Sequence, residues 1–108
     1  MRNGVFSLLT LVSAATCAAG AHAAPDMQAL AEKSGCLSCH SVQNKVVGPA
    51  FVDVAAKYKG DAEAPTRLAQ KVRAGGKGVW GRIPMPPHPE LKEDEARQLV
   101  AWVLSAGS

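Results

Sequence analysis

The sequence predicts an all-α fold of four to five short helices. Apolar residues recur at i, i+3 and i+4 positions in four segments that glycine and proline residues separate. No segment shows the alternation of apolar and polar residues that is typical of a half-buried β-strand. The length of 108 residues allows one small domain, and an aromatic content of 5% indicates that a metal, a disulfide or a cofactor completes its core.

The first 23 residues are interpreted as a cleaved secretory signal peptide. The positive charge of Arg2 precedes an apolar segment rich in alanine, and Ala21-His22-Ala23 matches the A-x-A cleavage pattern. A membrane anchor would need about 20 strongly apolar residues. The interpretation leaves residues 24–108 as one mature domain, which we expect in the periplasm without stable membrane insertion.

Removal of the signal peptide changes the net charge and the cysteine count. Loss of Arg2 lowers the number of basic residues from 12 to 11 against 9 acidic residues, so the net charge falls from +3 to +2. No block of five or six like charges occurs, which argues against nucleic acid as the partner. Cys17 leaves with the signal peptide, and the residues before it lack the leucine that is usual at a lipidation site, so only Cys36 and Cys39 remain.

The first two predicted helices flank these cysteines. The first follows Pro25-Asp26 and ends at Gly35, and the second follows Gly48-Pro49 and ends at Gly60. Their apolar faces comprise Met27, Leu30 and Ala31 in the first helix, and Phe51, Val54, Ala55 and Tyr58 in the second.

Two further helices are predicted in the second half of the chain. The third follows Pro65 and ends at Gly75-Gly76, and the fourth extends from about Glu93 to Ser105. Three acidic residues in the first turn of the fourth helix favour its start at that point. The apolar faces comprise Leu68, Ala69 and Val72 in the third helix, and Ala96, Leu99, Val100 and Val103 in the fourth.

The segment Cys36-Leu37-Ser38-Cys39-His40 forms a C-x-x-C-H motif. Its two thiols can each add to a vinyl group of a haem, and the imidazole that follows can then bind the iron. The alternatives are a thioredoxin-like redox pair, half of a zinc site and a plain disulfide. A redox pair needs a βαβ chain, and zinc needs more ligands than the two histidines of the mature chain supply. The motif therefore predicts one haem c, covalently bound through Cys36 and Cys39, with His40 as a ligand of the iron.

The sixth iron ligand decides between an electron carrier and an open, reactive haem. Met85 is the predicted ligand because the prolines of Ile83-Pro84-Met85-Pro86-Pro87 stiffen the loop that presents its sulfur. Met27 lies on the wrong side of the motif to reach the other haem face, whereas His88 and a packing role for Met85 stay open as alternatives. Trp80 either packs in the core or donates its indole N–H to a haem propionate.

Seven segments spread over the mature chain carry a family resemblance. They are Cys36-Leu37-Ser38-Cys39-His40, Val47-Gly48-Pro49-Ala50, Asp53-Val54-Ala55-Ala56-Lys57, Leu68-Ala69-Gln70, Gly78-Val79-Trp80-Gly81, Ile83-Pro84-Met85-Pro86-Pro87 and Trp102-Val103-Leu104-Ser105. Together they closely resemble the small bacterial class I cytochromes c of the cytochrome c-551 type. The resemblance implies a class I cytochrome c fold wrapped around one covalent haem, with His40 and Met85 as the axial ligands.

The resemblance also implies roles for residues around the haem. The carbonyl of Pro49 accepts the N–H of the proximal imidazole, while Trp80 and Lys71 lie near the propionates. Three positions depart from the family pattern, and one of them is Arg82 beside the Met85 loop. His88 stands where the family often has an asparagine or glutamine that hydrogen-bonds the ligand sulfur, and Lys92 replaces a usual serine helix cap.

These features predict a monomeric one-electron carrier between respiratory or denitrification donors and acceptors, and not an enzyme. Redox partners are expected to dock transiently at the exposed haem edge. Alternative functions are a haem enzyme or gas-binding sensor with an open sixth position, or a haem module of a larger oxidoreductase. The predicted charged rim of the docking surface comprises Lys33, Lys45, Lys77 and Arg82.

Overall fold

The computed structural model describes Gly20 and residues 26–108. The signal peptide predicted at residues 1–23 lies outside the described residues except for Gly20, and it stays a prediction together with the domain boundary that follows it. Within the described residues, no helix is long and apolar enough to span a membrane.

The described chain is all-α, as the sequence predicts. The four α-helices are α1 (Met27–Lys33), α2 (Phe51–Lys57), α3 (Ala64–Ala74) and α4 (Glu93–Leu104), and a 3₁₀ turn over Cys36–Ser38 follows α1. Residues 26–108 contain no β-strand, and their only β-type pairing consists of two isolated bridges. The four to five predicted helices therefore correspond to four α-helices and one 3₁₀ turn.

Local capping residues set the ends of the helices. The Asp26 carboxylate accepts a hydrogen bond from the Ala29 N–H at 3.0 Å, which satisfies one of the free donors at the start of α1. Gly75 ends α3 with a φ of +74°, a left-handed conformation that glycine adopts without steric cost. At α4 the Glu95 carboxylate accepts a hydrogen bond from the Lys92 N–H at 3.0 Å. A side chain inside the helix therefore binds the residue before it, whereas a serine at position 92 would accept from an N–H of the helix.

The core consists of small residues where helices cross. Ala69 of α3 packs against Ala96 and Val100 of α4, and a second cluster joins Ala31, Leu91 and Leu99. Among the described residues, no large side chain has less than 2% of its surface exposed. The helices alone therefore enclose little apolar volume, which agrees with the expectation that a further group completes the core. Among the described residues, the buried ones are Ala31, Ala50, Phe51, Ala64, Ala69, Leu91, Ala96, Leu99 and Val100.

The contact between α3 and α4 tolerates no larger side chain at Ala96. We expect Ala96→Leu to lower the free energy of unfolding by about 1–3 kcal/mol, because overpacking forces neighbouring side chains and backbone to shift. Ala101→Leu is the matched control, since Ala101 lies on the exposed face of the same helix. Guanidinium unfolding followed by circular dichroism measures both variants, and equal stability of the two would contradict this packing.

An ion pair stabilises the turn between α2 and α3 in a pH-dependent way. Arg67 donates a hydrogen bond to the Asp61 carboxylate at 2.7 Å and holds the pKa of that carboxyl below its ordinary value. A lowered pKa in the folded state means that the stabilisation is present at neutral pH and is lost as the pH falls through that lowered value.

We therefore expect Arg67→Gln to reduce the free energy of unfolding at pH 7 and to match the wild type in strong acid. The effect is small because both side chains are exposed to solvent. Lys59→Gln removes an equal charge two residues before Asp61 and serves as the control. Chemical denaturation at a series of pH values provides the measurement, and a difference that persists unchanged in acid would rule out this origin.

Candidate functional site

One cavity of about 560 Å³ lies between the helices, the loop that precedes α2 and the loop that follows α3. Its size is in the range of small-molecule and cofactor sites. The structure brings every residue that the sequence predicts for the site into the lining of this cavity. These residues are Cys36, Cys39, His40, Pro49, Lys71, Trp80 and Met85.

The cavity is predominantly apolar, and its apolar side chains are incompletely covered. Among the described residues, all the large hydrophobic side chains that are markedly exposed line this cavity, including Ile83 at 67% exposure. Such clustered exposure marks a surface that another group covers. A large apolar cofactor in the cavity would cover these side chains, so the lining fits a haem. The exposed set comprises Val46, Val47, Val79, Trp80 and Ile83.

The cysteine motif forms a tight turn that presents three side chains together. The backbone N–H groups of Cys39 and His40 both donate to the carbonyl of Cys36, at 3.2 and 2.9 Å. Gly35 precedes the turn with a φ of +78°. Burial raises the pKa of the Cys36 thiol, and the negative charge of Glu90 raises it further. The turn thus places both thiols and the His40 imidazole on the same cavity.

Three contacts fix the imidazole of His40. Its Nδ1 lies 2.7 Å from the carbonyl oxygen of Pro49, and because a carbonyl can only accept, Nδ1 carries the proton and donates. The ring of Phe51 stacks on it with a centroid separation of 5.2 Å and an angle of 25°. On Gly48, a Cβ atom would lie 2.6 Å from His40 Cε1, so this position accepts only glycine without displacement of the ring. Nε2 is left as the nitrogen available to a metal.

The loop that carries Met85 is fastened to the end of α3. Gly76 and Met85 exchange two backbone hydrogen bonds, at 2.7 and 3.1 Å, and the N–H of His88 donates to the carbonyl of Val72 at 3.1 Å. A Cβ on Gly75 would lie 2.8 Å from the Met85 carbonyl oxygen, so the two segments are in close backbone contact. The half-buried Met85 side chain is thereby held at the cavity.

The other ligand candidates lie outside the cavity lining. Met27 belongs to the first turn of α1, in agreement with the expectation that it does not reach the site. The His88 imidazole pairs with the Glu90 carboxylate at 3.1 Å and is not among the lining residues. In this arrangement the ring of His88 is directed to Glu90, whereas the family pattern predicts a hydrogen bond to the Met85 sulfur.

The charged side chains that the structure places along the cavity are all basic. The four basic lining residues are Lys45, Lys71, Lys77 and Arg82. All of them except Lys71 belong to the predicted rim. The remaining predicted rim residue, Lys33, lies in the last turn of α1 and is not a lining residue.

The sequence does not predict the contacts of several residues that support the site. Phe51 is predicted only as part of an apolar helix face, yet its ring packs between the imidazole of His40 and the edge of Trp102, 5.5 Å away. Gly48 is predicted only as a helix-flanking residue, and Lys57 receives no role although its ammonium lies 5.5 Å from the Trp80 ring centroid. The Val47-Gly48-Pro49 segment was the one available signal, since a glycine beside a predicted carbonyl acceptor indicates a close approach.

Two of the three alternatives to haem attachment, the thioredoxin-like pair and the zinc site, find no support in the described part of the chain. A thioredoxin-like pair needs a βαβ unit, whereas residues 26–108 form helices and two isolated bridges. No group of three or more His, Cys, Asp or Glu side chains among these residues has the arrangement of a metal site, so zinc lacks ligands.

Comparisons with known proteins agree with this geometry. A sequence model of the family described as Cytochrome c matches residues 25–107. Cytochrome c-551 of Pseudomonas aeruginosa is 46% identical over 100 residues, which cover 93% of this chain and 95% of the relative. Cytochrome c-551 of Allochromatium vinosum is 56% identical over 75 residues, which cover 69% of this chain and 80% of the relative.

A solved structure gives the same result for the fold. The crystal structure of wild-type cytochrome c552 from Nitrosomonas europaea aligns with a TM-score of 0.71 and 47% identity, over 73% of this chain and 98% of that one. The resemblance read from the sequence is thereby confirmed, together with the covalent haem c that the cysteine motif predicts. The chain belongs to the cytochrome c family, as a small class I member of the cytochrome c-551 type.

Proposed function

We propose that this protein is a soluble periplasmic carrier of single electrons between respiratory or denitrification donors and acceptors. The observation that carries the proposal is the convergence of Cys36, Cys39, His40 and Met85 on one apolar cavity. The periplasmic location rests on the signal peptide interpreted at residues 1–23.

Four residues hold the haem in this proposal. The Cys36 and Cys39 sulfurs would hold it through thioether links, and His40 Nε2 and the Met85 sulfur would bind its iron. When bound, the haem iron supplies the one-electron oxidation and reduction. A neutral thioether paired with an imidazole favours the ferrous state relative to a stronger donor, and an apolar lining acts in the same direction because it disfavours the additional charge of the ferric state.

The contacts around both ligands favour electron transfer over chemistry on a substrate. His40 is restrained by Pro49 and Phe51, and the Met85 loop by its backbone pairing with Gly76. Side chains restrained in this way would bind the iron alike in both oxidation states, so that little rearrangement would accompany transfer. The described lining holds no carboxylate and no imidazole besides His40 that could serve as the general acid or base of a haem enzyme.

The mouth of the cavity provides the surface for a transient redox partner. The basic side chains of Lys45, Lys77 and Arg82 lie along the cavity lining and offer a charged surface to such a partner. Basic rim residues accelerate association with an acidic surface more than they increase affinity. A small interface of this kind suits a monomeric carrier that must release its partner after each transfer.

The ligand assignment predicts the behaviour of the iron toward carbon monoxide. The reduced wild-type protein is expected to have a low-spin spectrum and to resist carbon monoxide at neutral pH, because Met85 occupies the sixth position. Met85→Ala should lose the low-spin spectrum and bind the gas rapidly, whereas Met27→Ala, the control outside the cavity lining, should behave as the wild type. Optical titration of the exported, haem-loaded protein measures both properties. Rapid binding by the wild type would instead indicate an open haem, as in an enzyme or sensor.

The contact between Gly48 and His40 predicts a second effect. We expect Gly48→Ala to lower the free energy of unfolding of the haem-loaded protein by about 1–3 kcal/mol, because the new methyl group overlaps a restrained ring. Gly76→Ala is the matched control: its Cβ would meet Lys71 Cε at 2.8 Å, at the far end of a flexible side chain that can move aside. Guanidinium unfolding monitored by haem absorbance compares the two. A loss that is no greater in Gly48→Ala than in Gly76→Ala would contradict the proposed restraint.

A further inference from the structure

Lys57, at the C-terminal end of α2, contacts Trp80, a partly exposed residue of the cavity lining. Its Nζ lies 5.5 Å from the centroid of the Trp80 ring and 5.9 Å from that of Tyr58. Both separations are within the range of a cation–π interaction. No carboxylate of the described residues lies within ion-pair distance of this ammonium, so the two aromatic rings are its partners.

The loop that carries Trp80 has few other attachments. Between residues 77 and 84, the backbone hydrogen bond among the described residues runs from the Gly78 N–H to the Gly81 carbonyl at 3.0 Å, within the loop itself. Gly78 and Gly81 have φ values of +96° and +124°, conformations in which glycine imposes little restraint. The pairing of Gly76 with Met85 fastens only the two ends. The centre of the loop therefore depends on side-chain contacts for its position.

We propose that Lys57 is a positioning residue that holds Trp80 over the mouth of the haem cavity through a cation–π contact. Trp80 and Tyr58 both line the cavity, so an ammonium that contacts both rings joins the loop to the end of α2. Trp80 is 40% exposed and shields this edge only while it is held in place. Release of the ring would admit water to the edge of the haem, stabilise the ferric state and lower the reduction potential. The inference rests on the proposed placement of the haem in this cavity.

Amide hydrogen exchange of the haem-loaded protein tests the contact. We expect Lys57→Gln to accelerate exchange in peptides covering residues 77–84 by about two- to fivefold, the range of an exposed cation–π contact. Lys57→Arg should restore the wild-type rate, because guanidinium also stacks on an indole. Lys59→Gln removes the same charge from an exposed position just beyond the helix and should leave the rate unchanged. Equal exchange in Lys57→Gln and Lys59→Gln, or failure of the arginine variant to restore it, overturns the proposal.

The reduction potential tests the effect on the haem. Lys57→Gln should lower the potential more than Lys59→Gln does, and Lys57→Arg should return it to the wild-type value. In a Trp80→Leu background the effect of Lys57→Gln should disappear, because the charge acts through the ring. A shift of the same size in that background would indicate direct electrostatics and would overturn the positioning role.

The failure of this inference differs from the failure of the proposed function. If the haem lay elsewhere, Lys57→Gln would still accelerate exchange of the loop but would leave the potential unchanged, which would overturn the link to the haem. If the iron had an open sixth position, the wild-type protein would bind carbon monoxide, whatever the exchange of the loop.

Discussion

The hydrogen bond from His40 Nδ1 to the carbonyl of Pro49 is the interaction on which the site depends. It fixes the tautomer of the imidazole and directs Nε2 toward the cavity, as a ligand nitrogen requires. The chain between the two residues folds back because the N–H groups of Val47 and Gly48 both donate to the carbonyl of Cys39, at 3.1 and 2.7 Å. The turn of the cysteine motif and the loop to α2 therefore form one unit around the ring.

The same unit connects the site to the helices. α2 begins at Phe51, directly after Ala50, and the N–H of Phe51 donates to the carbonyl of Ser41 at 2.9 Å. Its ring then packs on His40 and meets Trp102 of α4 edge-on. A displacement of the imidazole would therefore shift the Phe51 ring, which contacts the C-terminal helix. The two ring contacts thereby link the position of His40 to the packing of the C-terminal helix.

Local signals in the sequence predicted the helices, whereas contacts between distant residues were largely inaccessible. The caps at Asp26 and Gly75 act on neighbouring backbone groups, so spacing and residue type suffice to place them. The ligand motif and the proline-flanked Met85 are also local. The approach of Gly48 to the imidazole and of Lys57 to Trp80 depends on how separate loops meet, which no periodicity encodes. His88 illustrates the limit of resemblance, because it departs from the asparagine or glutamine of the family pattern and its ring pairs with the Glu90 carboxylate.

The burial of Cys36 bears on the order of events before the haem is attached. The partly buried Cys36 packs against the cluster of Ala31, Leu91 and Leu99, and this burial raises the pKa of its thiol. Because the thiolate is the nucleophilic form of cysteine, this surrounding makes the Cys36 thiol less reactive in the folded chain than in an open one. Attachment is therefore favoured while the segment is still open. The same effect would slow attack of the Cys36 thiol on the disulfide of an external oxidant, the step that begins closure of the motif into a Cys36–Cys39 disulfide.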